Sequence, residues 1–355
     1  MQDERNPNGE RGMIVILMAV AIVALIGAGS LAVDIGSALV TKAELQNVAD
    51  ASSLAATREL AIIYKGLGSN TDYKQHTLTF GERSQIEAKA LAFAAANKAG
   101  GLSINVGTDD VVTATYDIAT GDITPADTGV RAVQVTGRRD DTQNGQIQTA
   151  LGRVLGIDQL AIRANSTAAL SALGTLNEGM GEFPIGIDEA WFKKNSCQGD
   201  NHIKLHPTPG SCGGWHTFFD SPASATQLKK ILDKMEDGTF VSPKTVVDGE
   251  TAFNFVGGSI AVRMDQLRDL WLSKGGAAWT VNVPVYQDSG CDNPNKARVI
   301  VGFARMIITN IQSNPKIDIS GEVKCGITDE GEVGGSGGGG ASDFGMLVGT
   351  PGMIQ

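Results

Sequence analysis

The chain begins with a pattern that is apolar on every side. Gly12 to Val33 is a run of 22 residues without a charge. At about 1.5 Å per residue a helix of this length reaches about 33 Å, enough to cross a hydrocarbon core of about 30 Å. A single segment cannot close a barrel, so only a helix satisfies its backbone in lipid. A cleaved secretory signal would use Arg5 and Arg11 as its basic region and Ala28-Gly29-Ser30 as its cleavage site. The run outlasts the usual apolar core of about 7–15 residues, and the helical pattern continues past that site, so an anchor is expected. Residues 1–11 are then a cytoplasmic stub and residues 12–34 a transmembrane helix. Asp34 is expected to sit at the interface where the helix leaves the bilayer. Ala24, Ala28, Ala32 and Gly36 form a small-residue ridge where a second helix could approach closely.

Beyond Asp34 the pattern becomes amphipathic without a break. Ile35, Leu39, Leu45, Val48, Ala49, Ser52, Ala56, Leu60 and Ile63 make an apolar or small stripe at helical spacing. Glu44, Gln46, Asn47, Asp50, Arg58 and Glu59 occupy the other sides, and Gly66, Gly68, Ser69 and Asn70 supply a stop. The pattern predicts one helix of about 50 residues whose second half needs a partner surface. Ser84–Ala99 predicts a second helix, with Ile86, Ala90, Phe93 and Ala94 on one face, ended by Gly100-Gly101. Short strands are predicted at Ser103–Val106, Asp110–Asp117, Val130–Thr136 and Leu160–Leu170, with a short helix at Thr149–Gly156. The fold class expected is α+β. The long helix packs on a small antiparallel sheet over residues 35–175, and a second α+β domain follows over 183–328. In that domain, helices are predicted at Ser224–Glu236 and Ser259–Ser273, and strands at Ala277–Gln287, Lys296–Ile311 and Lys316–Lys324. Residues 329–355 read as a Gly-rich flexible tail ending in an apolar segment. The alternative for that segment is docking on a neighbour by adding a strand.

Composition sharpens this picture in three ways. Net charge is −10, which gives no electrostatic case for a nucleic-acid partner. All four Trp and all four Cys lie after residue 182, so composition shifts where the second domain is predicted to begin. Scattered cysteines beyond an export segment predict two disulfides among Cys197, Cys212, Cys291 and Cys325, outside the cytoplasm. Three connectivities are open, and the local pairs Cys197–Cys212 and Cys291–Cys325 are favoured. With Arg5 and Arg11 before the helix and only Lys42 close after it, the N-terminus is expected inside and the bulk in the periplasm. Cys197, His202, His206, Cys212 and His216 fall in one window that could hold zinc. Pro207 and Pro209 argue for a loop, however, and oxidised thiols would pair, so no metal and no cofactor is assigned. No G-x-S-x-G or Walker loop is present, and the chain does not read as an enzyme.

One stretch carries a resemblance. The apolar helix is followed by Ala32-Val33-Asp34, then Leu45-Gln46-Asn47-Val48-Ala49-Asp50-Ala51, then Ser53-Leu54-Ala55-Ala56. This resembles the N-terminal region of the TadG-like family of Tad (tight adherence, Flp) pilus-assembly membrane proteins. The resemblance covers about 50 residues and carries Asp34, Leu45, Gln46, Asn47, Ala49 and Asp50 as its motif positions. It implies a single-pass bacterial inner-membrane protein, a minor pilin-like structural or assembly component. It would support pilus biogenesis and adhesion, with other pilus subunits as partners through the N-terminal helix. A processed type IV pilin would carry Glu where this chain, cut after Gly12, has Leu17. The D-x-S-x-S loop of metal-binding family members is absent, so metal-dependent adhesion is not carried over. The competing function class is an exported envelope or surface binding module, an adhesin or metal-binding protein held by a signal-anchor helix.

Overall fold

The structure is a computed structural model of the chain. It describes residues 7–67, 72–118, 120–150, 152–181, 183–195, 201–205, 211–256, 264–292, 294–313, 317–328, 332–333 and 342–354. It is α+β, with a long N-terminal apolar helix, several sheets and a disulfide. Helix α1 runs unbroken from Pro7 to Gly66. It has no internal proline, and proline at its first position costs nothing, because that N–H would lack a helical partner anyway. The predicted stop falls at Gly66; Gly68, Ser69 and Asn70 lie outside the described residues.

Helix α2 is Phe80–Ala95, starting earlier than the sequence pattern suggested. The reason is a capping box. The Glu82 N–H donates to the Thr79 hydroxyl (3.3 Å), and the Thr79 N–H donates to the Glu82 carboxylate (2.7 Å). Ile86, Ala90 and Ala94 are buried as expected, whereas Phe93 is exposed. The two strands predicted by alternation appear as Val111–Tyr116 and Ala132–Arg139, and the expected strand over Leu160–Leu170 appears as Ile162–Ala169. They belong to a five-stranded sheet whose order is Gly352–Ile354, Ile162–Ala169, Ala132–Arg139, Val111–Tyr116, Ile123–Pro125. Ser103–Val106 shrinks to Leu102–Ser103, paired with Lys98–Ala99.

The chain divides into two compact units. One comprises residues 1–55, 87–111 and 134–166, the other residues 56–86, 112–133 and 167–355. In the second unit five strands pair in a ring: Ile185–Asp188, Gly213–His216, Ala252–Val256, Ala297–Gln312 and Thr280–Tyr286, which returns to the first. A ring of purely antiparallel pairs needs an even number of strands. Five therefore require one parallel pair, and Ile185–Asp188 with Thr280–Tyr286 supplies it. The far half of the 16-residue strand also pairs with Asp318–Lys324, which pairs in turn with His202–Lys204. Helices α3 (Glu189–Lys194), α4 (Ala225–Glu236) and α5 (Met264–Ser273) belong to this unit. Leu228, Ile231, Leu232 and Met235 of α4 are buried together with Trp215, Phe253 and Val283 in one core.

Two expectations are corrected here. The apolar end of the chain is not a flexible tail. Met346–Val348 pairs in parallel with Gly326–Thr328, and Gly352–Ile354 pairs antiparallel with Thr167–Ala169. Phe344, Met346, Leu347 and Val348 are all buried. The strand addition foreseen for a neighbour thus takes place within the chain itself; residues 334–341 lie outside the described residues. The second correction is the disulfide pairing. Cys212 bonds Cys291, across 79 residues, so neither favoured local pair forms. Cys325 is also disulfide-bonded, and Cys197 lies outside the described residues. Asp188 explains how the Cys291 turn is held. Its buried carboxylate accepts the N–H groups of Ala190, Ser289 and Cys291 at 2.8, 3.2 and 3.1 Å.

Candidate functional site

Helix α1 is the candidate site, and it presents two different surfaces. From Met13 to Val33 its large side chains are exposed; Val23 is 70% and Leu25 is 72% exposed. It is the one helix among the described residues long and apolar enough to cross a membrane. The ridge positions Ala24, Ala28 and Ala32 lie on this exposed part, and Gly36, just beyond it, is exposed too. A methyl group added at Gly36 would meet nothing within 4 Å.

Asp34 is the first buried residue after this exposed stretch. This carboxylate is buried and accepts the backbone N–H groups of Ala150 (2.6 Å) and Gly152 (2.8 Å). Two charge-assisted bonds offset the desolvation that burying it incurs. Asp34 therefore does more than mark the exit of the helix: it fastens a segment more than 100 residues away.

The second half of α1 buries the predicted stripe from Leu45 onward, whereas Ile35 and Leu39 stay exposed. In the first unit, the motif residue Leu45 is fully buried against Gly137. A methyl group there would lie 3.0 Å from Leu45 Cδ1, so helix and strand meet closely only because residue 137 has no side chain. Ala49 is buried beside it in sequence, and Asn47 is exposed. The Gln46 amide donates to Asp50 Oδ1 (2.8 Å) and to the Asn165 carbonyl (2.9 Å). The Ser53 and Ser166 hydroxyls are 2.9 Å apart. The Gly100 N–H donates to the Glu44 carboxylate at 2.6 Å. In the second unit, the Thr57 hydroxyl donates to the Ala168 carbonyl (3.1 Å) and the Tyr64 hydroxyl to the Val130 carbonyl (2.6 Å). Burial pushes the Tyr64 phenol up, so it stays a neutral donor. Arg58 donates to the Gly349 carbonyl, reaching the C-terminal segment.

These are polar side chains on one helix, and those of Gln46, Ser53 and Thr57 meet Asn165, Ser166 and Ala168 of the strand Ile162–Ala169. They fix both the depth and the register of the helix, and Gln46 and Ser53 lie within the Leu45–Ala56 motif. Residues 12–59 match the family model described as "Putative Flp pilus-assembly TadE/G-like". The TadE/G-like segment thus spans the exposed apolar half of α1, Asp34 and most of the packed half. That family is one of pilus assembly and not an enzyme class, so the match supports a pilus-related role. No curated protein and no solved structure matches the chain significantly.

The Cys/His window is dispersed. Cys212 is a disulfide sulfur and not a thiolate. His202 is on a strand, and Cys197 and His206 lie outside the described residues. His216 is fully buried against the rings of Phe218, Phe253 and Phe255, at centroid distances of 4.5, 4.8 and 5.7 Å. Its Nδ1 accepts the Phe218 N–H (3.3 Å), so the proton of the neutral ring sits on Nε2. Burial pushes this imidazole down to about 3.

Sequence reasoning missed the cluster that holds the C-terminal segment. Asp343 accepts from the Tyr73 hydroxyl and pairs with Lys74 (3.1 Å) and Arg131 (3.3 Å). Burial alone would raise its carboxyl, but Arg131 and Lys74 hold it below its ordinary value. Tyr73 and Lys74 are adjacent, but Arg131 and Asp343 lie far from them and from each other and the four share no motif, so no sequence signal joined them.

Proposed function

We propose that this protein is a membrane-anchored structural and assembly component of a Tad/Flp-type pilus, a minor pilin-like subunit supporting pilus biogenesis and adhesion. One observation carries the reading. A single uninterrupted helix is exposed and apolar over its first half, and over its second half it is fastened to strands by the residues of the TadE/G-like segment. An element that is both lipid-soluble and rigidly joined to a folded body suits a subunit that waits in a bilayer and is then drawn into an assembly. In this reading the helix crosses the inner membrane once, with its N-terminus in the cytoplasm and the bulk in the periplasm. The Cys212–Cys291 disulfide supports that orientation, because such bonds persist outside the reducing cytoplasm. The ridge Ala24, Ala28, Ala32 and Gly36 is the surface proposed to meet other pilus subunits.

The test has two arms. The intact protein, with its N-terminus retained, should resist carbonate extraction from membranes. Immunogold labelling of purified pili should then place it in the filament. Recovery as a soluble species beginning near Leu31 would instead support an exported binding module. Membrane retention without filament labelling would make it an assembly factor.

A further inference from the structure

We infer that the loop carrying Val154 and Ile157 rests on the lipid surface of the bilayer that α1 crosses, with Asp34 as the residue that holds it there. The inference rests on the membrane-anchored reading of α1. Asp34 directly follows the uncharged stretch ending at Val33, so it lies inside the apolar exterior of the helix and close to its end. Its two carboxylate oxygens accept the N–H groups of Ala150 and Gly152, which fixes this loop at that level. Ile157 is tied to the same point: its N–H donates to the Gly152 carbonyl (2.8 Å). Val154 is two residues from Gly152, so its Cα lies within about 7.6 Å of that glycine's. Yet Val154 is 78% exposed and Ile157 is 48% exposed.

The neighbouring helix surface says what covers them. Leu31, Ile35, Leu39 and Val40 are exposed as well. The next charge after Asp34 is Lys42, about 12 Å farther along the helix. The apolar exterior therefore does not stop at Asp34, whose carboxylate is covered by the loop. Val154 and Ile157, tied to Asp34 through Gly152, add exposed apolar side chains at the level of this surface. Exposed Arg153, between Gly152 and Val154, suits anionic headgroups at the same level. The loop's shape is built for this position. A methyl group at Gly152 would come 2.6 Å from the Ile157 carbonyl oxygen, and Gly156 has φ +80°. Both turns depend on glycine.

The experiment uses the full-length protein in vesicles of phosphatidylethanolamine and phosphatidylglycerol. Val154→Cys is labelled with the environment-sensitive fluorophore NBD, with the unsubstituted protein as blank. Val23→Cys reports the middle of the apolar stretch. Leu102→Cys is the reference for water: it is 50% exposed and lies two residues from Gly100, which is bonded to Glu44 about 15 Å beyond Asp34. The label at 154 should emit to the blue of that at 102. Lipids bearing nitroxide near the headgroup should quench it, and aqueous iodide should not. In the Asp34→Ala background the label at 154 should move towards the behaviour of 102 while 23 stays unchanged. Lipid quenching at 23 with a water-like signal at 154 would overturn the inference and leave the anchor standing. A water-like signal at 23 would remove both. A signal at 154 indifferent to Asp34→Ala would overturn the holding role of Asp34.

Discussion

Replacing His216 with Phe should remove a defined part of the protein's acid sensitivity. The imidazole is fully buried among three phenylalanine rings, and its Nε2 has no hydrogen-bond partner among the described residues. Nothing there compensates a positive charge, and burial lowers its pKa from 6.5 to about 3. The unfolded chain, by contrast, protonates this group near 6.5. A group with a depressed folded pKa loses stability as pH falls below the unfolded value, because the unfolded state alone takes up the proton. Between about pH 7.5 and about pH 4.5 the linkage amounts to roughly 3 kcal/mol, and it grows further until pH falls below the folded value. The assay is urea unfolding of the full-length protein in detergent at both pH values, compared with His216→Phe. The carboxylates common to both proteins cancel in the comparison. The wild type should lose about 2–3 kcal/mol more than the variant over this interval. Phe differs in shape from His, so absolute stabilities will also differ, but the readout is the change with pH. Parallel losses in the two proteins would refute the buried, neutral ring.

Other changes test other parts of the account. Cys212→Ser should cost about 4.5 kcal/mol in the chain-entropy model for a loop of this length, measured by urea unfolding without reductant; unchanged stability would mean that the bond constrains nothing. Leu347→Ala should cost about 2–5 kcal/mol, and a chain ending at residue 341 should become protease-sensitive, because the C-terminal strands are core. Gly137→Val should cost about 1–3 kcal/mol by forcing Leu45 from its seat, visible as a lower thermal midpoint. Ala32→Leu should insert normally but weaken cross-linking to other pilus subunits, if the ridge is the contact surface.

The long helix was legible because its signals are local and repeated. An uncharged run, a stripe at helical spacing and a glycine stop are all patterns within one continuous segment of the chain. The stripe named Leu45, Val48, Ala49, Ser52, Ala56 and Leu60 correctly, and all six are buried. What failed was long-range or short. The partners of Asp34 lie 116 and 118 residues away, so its role could not be read from its neighbourhood. Cys212–Cys291 defeated a preference for local pairs, because loop length does not decide connectivity. The C-terminal strands are three residues each, too short to show a period, and the glycines before them suggested a linker. The Thr79–Glu82 capping box was present in the sequence and was the overlooked start of α2. Phe93 lay at helical spacing from Ile86 and Ala90, yet helical spacing alone does not fix how wide the buried face is.

The central claim is that α1 is a membrane anchor through which this protein serves pilus assembly. The most direct measurement is piliation of a strain lacking the protein, complemented in parallel by the full chain and by one in which the apolar stretch 12–33 is replaced with a cleavable export signal. The account predicts few or no pili in the deletion strain, restoration by the full chain, and no restoration by the exported soluble form. Normal piliation without the protein, or full rescue by the form that lacks the helix, would contradict it.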